Sequence, residues 1–171
     1  MKIFSSRTSR SGLLLMVAML IALGIVGMGA TPASAAHMVP FRGSYSGTAV
    51  FPSGGTPQFS GTGIATHLGK STNEGHVVFT AGTPACAGGL PNDNYETLTA
   101  ANGDLLMIVS HDVGCPIGPY QYHGTGNWEV VGGTGRFSGA TGQGTLDGRA
   151  DFAKGKFAFE LIGNISVPRE K

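Results

Sequence analysis

After residue 36 the apolar positions recur at every second residue, and Gly, Asn and Pro interrupt them at intervals of 8 to 15 residues. Period two marks a half-buried strand, because successive side chains face opposite sides of a sheet. Over 41–51, Phe41, Gly43, Tyr45, Gly47, Ala49 and Phe51 alternate with Arg42, Ser44, Ser46, Thr48 and Val50. Over 59–68, Phe59, Gly61, Gly63, Ala65 and His67 share one face. A short β-rich run covers 76–80. Segments 95–100 and 104–112 flank Ala101-Asn102-Gly103, where Asn-Gly tolerates positive φ and marks a hairpin. Over 120–131, Tyr120, Tyr122, Gly124, Gly126, Trp128 and Val130 lie on one face. Over 143–152, Gly144, Leu146, Gly148, Ala150 and Phe152 oppose Gln143, Thr145, Asp147, Arg149 and Asp151. Lys154-Gly155 then turns the chain into 157–166, with Phe157, Phe159, Leu161, Gly163 and Ile165 inward. No segment after residue 36 carries the three-and-four spacing of an amphipathic helix. The pattern predicts an all-β fold: about eight antiparallel strands in an up-and-down barrel, which has no free edge.

Glycines recur on the inward faces beside aromatic residues, and two readings stay open. Glycine relieves crowding where strands bend in a narrow barrel, or it leaves room for a ligand, as in eight-stranded calyx proteins.

The first 36 residues follow a different pattern. Lys2, Arg7 and Arg10 precede the apolar run Leu13–Val26, and Thr31-Pro32-Ala33-Ser34-Ala35-Ala36 places small residues before the barrel segment. A charged start, an apolar core and an A-x-A site make a secretory signal for the general export route, cleaved after Ala35 or Ala36. A membrane anchor is the competing reading, but a spanning helix needs about 20 apolar residues, and this run is shorter and followed by Gly27 and Gly29. The expectation is a secreted protein whose residues 37–171 form one domain, without stable membrane insertion after cleavage.

Export changes the reading of the cysteines. Cys86 and Cys115 are the two in the chain, in the Pro/Gly-rich contexts TPACAGGLP and VGCPIGP. In an oxidising compartment an even count points to one disulfide. Closing a loop of about 30 residues stabilises a fold by about 3.6 kcal/mol on loop entropy alone.

Charge excludes a class of partners. Charged residues are 12% of the chain; with Lys2, Arg7 and Arg10 in the leader, 8 of the 11 basic residues remain against 10 acidic ones, about −2. A basic nucleic-acid-binding surface is therefore not expected.

The stretch Val130-Val131-Gly132-Gly133-Thr134-Gly135-Arg136-Phe137-Ser138-Gly139-Ala140-Thr141-Gly142-Gln143-Gly144 resembles a segment of allene oxide cyclases and the related dirigent proteins. Pro40–Gly43, Gly61–Gly69 and Thr99–Asp104 resemble secreted bacterial members of that barrel family, in the same order along the chain. The resemblance implies an eight-stranded antiparallel barrel, calycin-like, often trimeric, whose plant relatives steer a reactive small molecule in an apolar lumen. Within it the GGTGRF run is a strand connection, with Phe137 placed to plug a barrel end. The cyclases use a buried carboxylate in their early strands, and the first two predicted strands here contain no Asp or Glu.

Candidate chemistry is sparse. The five histidines, His37, His67, His76, His111 and His123, lack H-x-H or H-x-x-x-H spacing, so no metal site is expected; nor is a cofactor. His67 is predicted on an inward face, and His111 on the face of Leu105, Met107 and Val109; with Tyr122 they are the candidates for acid–base work in a lumen. Asp104 and Asp112 are read as solvated carboxylates flanking loops. No G-x-S-x-G elbow, phosphate loop or dinucleotide fingerprint occurs. Phe41, Tyr45, Phe59, His67, Met107, Tyr122, Trp128 and Phe159 are the candidate ligand-lining residues. The leading expectation is a secreted barrel that binds a small apolar or aromatic molecule. The alternatives are an isomerase or cyclase working in the same lumen and an extracellular structural or interaction protein with a packed core.

Overall fold

The structure, a computed structural model, describes residues 37–167, and each alternating segment of the sequence is one of its strands. In chain order they are β1 His37–Val50, β2 Gln58–Ala65, β3 Gly69–Phe79, β4 Leu90–Ala100, β5 Leu105–Gly118, β6 Gln121–Gly133, β7 Gly142–Asp151 and β8 Lys156–Val167. Neighbours pair antiparallel in sequence order, and β8 returns to β1, with Phe41 opposite Gly163 and Thr48 opposite Lys156. The ring is closed, so every strand has two partners and no edge is left for aggregation. The expected secretory leader and residues 168–171 lie outside the described residues.

Most strands run longer than the periodicity predicted. The run expected at 76–80 is the end of the eleven-residue β3, whose first half, Gly69-Lys70-Ser71-Thr72-Asn73, is too polar to read as a buried strand. Barrel closure supplies the pairing that propensity does not. The Asn-Gly hairpin is present, with Gly103 at φ +88°.

One end of the barrel is solid. Phe41, Leu98, Leu106, Trp128, Phe137, Leu161 and Ile165 are buried there in one cluster. Phe137 sits in the short 3-10 turn Gly135–Phe137 between β6 and β7 and closes that end as a plug. The Trp128 ring meets Phe41 edge-on at 5.4 Å, and its indole N–H donates to the Thr145 carbonyl at 3.0 Å. Burying side chains of this kind stabilises by about 1.5–3 kcal/mol each.

At the opposite end, Cys86 in the β3–β4 loop is bonded to Cys115 of β5, with the Cα atoms 6.0 Å apart. The bridge expected from sequence is present. Cys115 lies within a strand rather than in a loop, and pairs across the ladder with His123.

Candidate functional site

The end opposite Phe137 is open, and the lumen there holds a cavity of about 140 Å³. Phe59, Tyr122, Leu146, Phe157 and Phe159 face into it, with Phe51, Phe79 and Phe152 at its mouth. The rings form a connected lining. Phe51 and Phe152 are 4.5 Å apart, Tyr122 stacks on Phe152 at 4.8 Å, and Phe59 meets Phe157 edge-on at 5.5 Å. Phe157 stacks on Phe159 at 5.8 Å, which in turn stacks on Tyr45 at 5.5 Å. Offset and edge-on pairs of this kind are the preferred aromatic geometries.

One side of the lumen is polar. β3, β4 and β5 turn Ser71, Asn73, Asn94, Glu96, Ser110 and Asp112 inward. Glu96, Asp112 and Asn94 line the cavity. The Asp112 Oδ2 accepts hydrogen bonds from the Asn94 amide and, at 3.1 Å, from the Ser110 hydroxyl. Tyr45 and Ser71 share a hydrogen bond of 2.8 Å. Glu96 is 5% exposed, Asp112 7% and Asn73 0%. Both amide atoms of Asn73, Glu96 Oε2 and Asp112 Oδ1 are buried without a hydrogen-bond partner. Orphaned polar atoms in a dry interior are costly, so such a cluster needs a reason.

Burial sets the protonation of this group. Loss of water pushes the Glu96 carboxyl up to about 8, and the nearby Asp112 pushes it the same way. Burial lifts Asp112 to about 6, against the lowering effect of its bonds from Ser110 and Asn94 and of nearby His111. The Tyr45 hydroxyl is raised to about 12, chiefly by burial. At neutral pH the lumen therefore holds a protonated carboxyl beside a mostly ionised one.

The candidates from sequence separate into three groups. Phe59, Tyr122 and Phe159 line the cavity. Phe41, Tyr45 and Trp128 point inward but are packed beneath it, in the solid part of the barrel. His67, His111 and Met107 are not in the lumen. His67 falls in the β2–β3 turn with φ +67°, exposed, its Nε2 3.2 Å from the Pro40 carbonyl. β2 ends at Ala65, two residues before the alternation would have carried His67 inward. His111 is on the outer surface, its side chain 57% exposed and 2.7 Å from Asp93. Met107 shares that outer parity and packs beside Gly132.

The β5 error has a clear origin. Leu105, Met107 and Val109 alternate with Leu106 and Ile108, so both faces are apolar and the parity is ambiguous. The inward set is Leu106, Ile108, Ser110 and Asp112, which carries Asp112 into the lumen rather than to a solvated loop flank. Glu96, which sequence reasoning missed, had a signal: it shares parity with Leu98 and Ala100, both buried. Gly126 lies opposite Asp112 in the ladder, and a Cβ there would collide with its carboxylate.

No protein-family model and no curated protein matches the chain. Among solved structures the chain is similar to a pterocarpan synthase dirigent protein, with 15% identity and a TM-score of 0.47 over 77% of this chain and 90% of that one.

Proposed function

We propose that the protein binds a small, largely apolar molecule in the open half of its barrel. The observation that carries this reading is the aromatic-walled cavity above a solid floor. An apolar cavity of roughly 150 Å³ holds one benzene ring, and this one measures about 140 Å³. The ligand class is therefore a single ring or its equivalent in bulk, with any larger part outside the mouth. Native mass spectrometry of protein purified from its producing cells tests the proposal. An excess mass lost on denaturation supports it. A ligand-free native mass, with no rise in melting temperature on adding single-ring compounds, removes it.

The second reading, an isomerase that moves a proton within the bound molecule, is favoured by the Glu96–Asp112 pair. Two carboxyls pushed to about 8 and about 6 are suited to acid and base roles respectively near neutral pH. In this reading they take the place of His67 and His111. Turnover of a candidate substrate unchanged in Glu96→Gln and Asp112→Asn would defeat it.

Secretion belongs to the same proposal, supported by the Cys86–Cys115 bond, since such bonds persist in oxidising compartments. Assembly into oligomers would cover outward apolar residues such as Val50, Ile64 and Val131; sedimentation velocity showing only single chains would set it aside.

A further inference from the structure

Among the described residues that line the cavity, two buried side-chain atoms lack a hydrogen-bond partner, Glu96 Oε2 and Asp112 Oδ1. With both carboxyls ionised, the two are acceptors. The charge is as one-sided as the hydrogen bonding. Two carboxyls face the cavity, and the one basic residue along its described lining, Arg149, lies on the outward parity of β7 and is exposed. The remaining wall is aromatic, and an aromatic face is the negative end of its quadrupole. Acceptors, carboxyls and ring faces all ask for the same complement.

We propose that the natural ligand is an organic cation, a primary ammonium on a ring-sized apolar body, with its nitrogen directed to Glu96 and Asp112. A primary ammonium brings three N–H donors and no acceptor. Its single charge offsets the ionised carboxylate of the pair, beside which the described lining places no inward basic side chain, and its body is taken by the Phe59, Tyr122 and Phe157 rings. A neutral alcohol or phenol offers a single donor and leaves the charge uncompensated. The inference rests on the cavity being a ligand site, as proposed above.

The pH behaviour follows from the groups around the pair. Glu96 faces Asp112 from β5 and Tyr45 from β1, and Asp112 also feels His111 and Asp93 on the outer side of the sheet. A cation favours the ionised carboxyls, so its binding should release protons and tighten as pH rises through the range of about 6 to about 8 where they titrate.

Calorimetric titration of the folded barrel with benzylamine and with benzyl alcohol tests this. At about pH 8 benzylammonium should bind about tenfold tighter or more. The ratio should shrink towards about pH 5 and fall close to one in the Glu96→Gln, Asp112→Asn double variant. Benzyl alcohol binding as tightly as benzylammonium at about pH 8 overturns the cation and leaves the ligand site standing. Failure of both to bind overturns the two together.

Discussion

At the end of the barrel that holds Phe41 and Phe137, the inward Gly144 and Gly163 lie against the Trp128 ring; towards the other end, the inward Gly124 faces open space. A Cβ on Gly144 or on Gly163 would come within 2.7 Å of the Trp128 ring. A Cβ on Gly124, near the mouth, would meet nothing within 4 Å. One residue type on one parity thus does two jobs. In the solid half it lets a large ring close the lumen; at Gly124 in the open half the space is left vacant. Of the two readings of the glycines that the sequence left open, relief of crowding describes the solid half; room for a ligand belongs to the proposal made above for the open half. The halves are also held differently. The solid half is held by close packing, and the open half by the bond between Cys86 and Cys115.

The sharpest way to break the contrast is to empty the solid half. Trp128→Ala removes a ring that is packed against Phe41 and bonded to Thr145, and should cost about 3–5 kcal/mol of stability by denaturant unfolding. Phe152→Ala at the mouth should cost much less while weakening ligand binding, because that ring is only half-buried. Equal losses from the two substitutions would erase the distinction.

Next in size is the covalent tie. Cys86→Ser with Cys115→Ser should lower stability by about 3 kcal/mol. Hydrogen exchange should quicken in the segments around 80–90 and 113–124 and stay slow in the Phe41–Trp128 cluster. Uniform loss of protection would show that the bond serves both halves alike.

Glu96 carries the pH signature of the lumen. Its carboxyl is raised from an ordinary 4.5 to about 8, so the unfolded chain gives up its proton first as pH rises. Stability is then greatest at acidic pH and falls between about 4.5 and about 8, with Asp112 adding to the fall between 3.8 and about 6. Glu96→Gln should flatten the upper part of this slope and gain on the order of 2 kcal/mol at about pH 8. A wild-type unfolding curve that is level from pH about 5 to about 8 would refute the buried carboxyl.

The smallest effect is a matched pair. Gly163→Ala should cost on the order of 1–3 kcal/mol, because its Cβ would press on the Gln143 carbonyl and the Gly144 backbone of β7 as well as on the Trp128 ring. Gly124→Ala should shift stability by less than about 0.5 kcal/mol and shrink the cavity, read as weaker binding of single-ring compounds.

Much of the barrel was legible in one dimension. Alternation is a local property, so β1, β2, β6, β7 and β8 were read with the correct inward faces from Phe41, Phe59, Trp128, Leu146 and Phe159 alone. The site was less legible, because it is built where alternation is weakest. β3 is polar on both faces, and β5 is apolar on both over Leu105–Val109. Period two divides such strands into two sets without saying which faces in. His67 was placed inward by extending a pattern past the end of its strand, and Asp112 was placed outward by treating a carboxylate as solvated.

The sequence by itself determined the strand count, the all-β class, the cysteine pair and the separate character of the first 36 residues, since each depends on neighbours in the chain or on composition. Only the tertiary structure decided which face of β5 points inward, that Glu96 and Asp112 share one lumen, and that one end is filled and the other empty. Those outcomes depend on closure. Pairing β8 to β1 fixes the shear of the ring, and the shear decides which side chains from distant strands meet at one level. Whether a glycine carries a ring or leaves a cavity is settled across the barrel, between residues far apart in the chain.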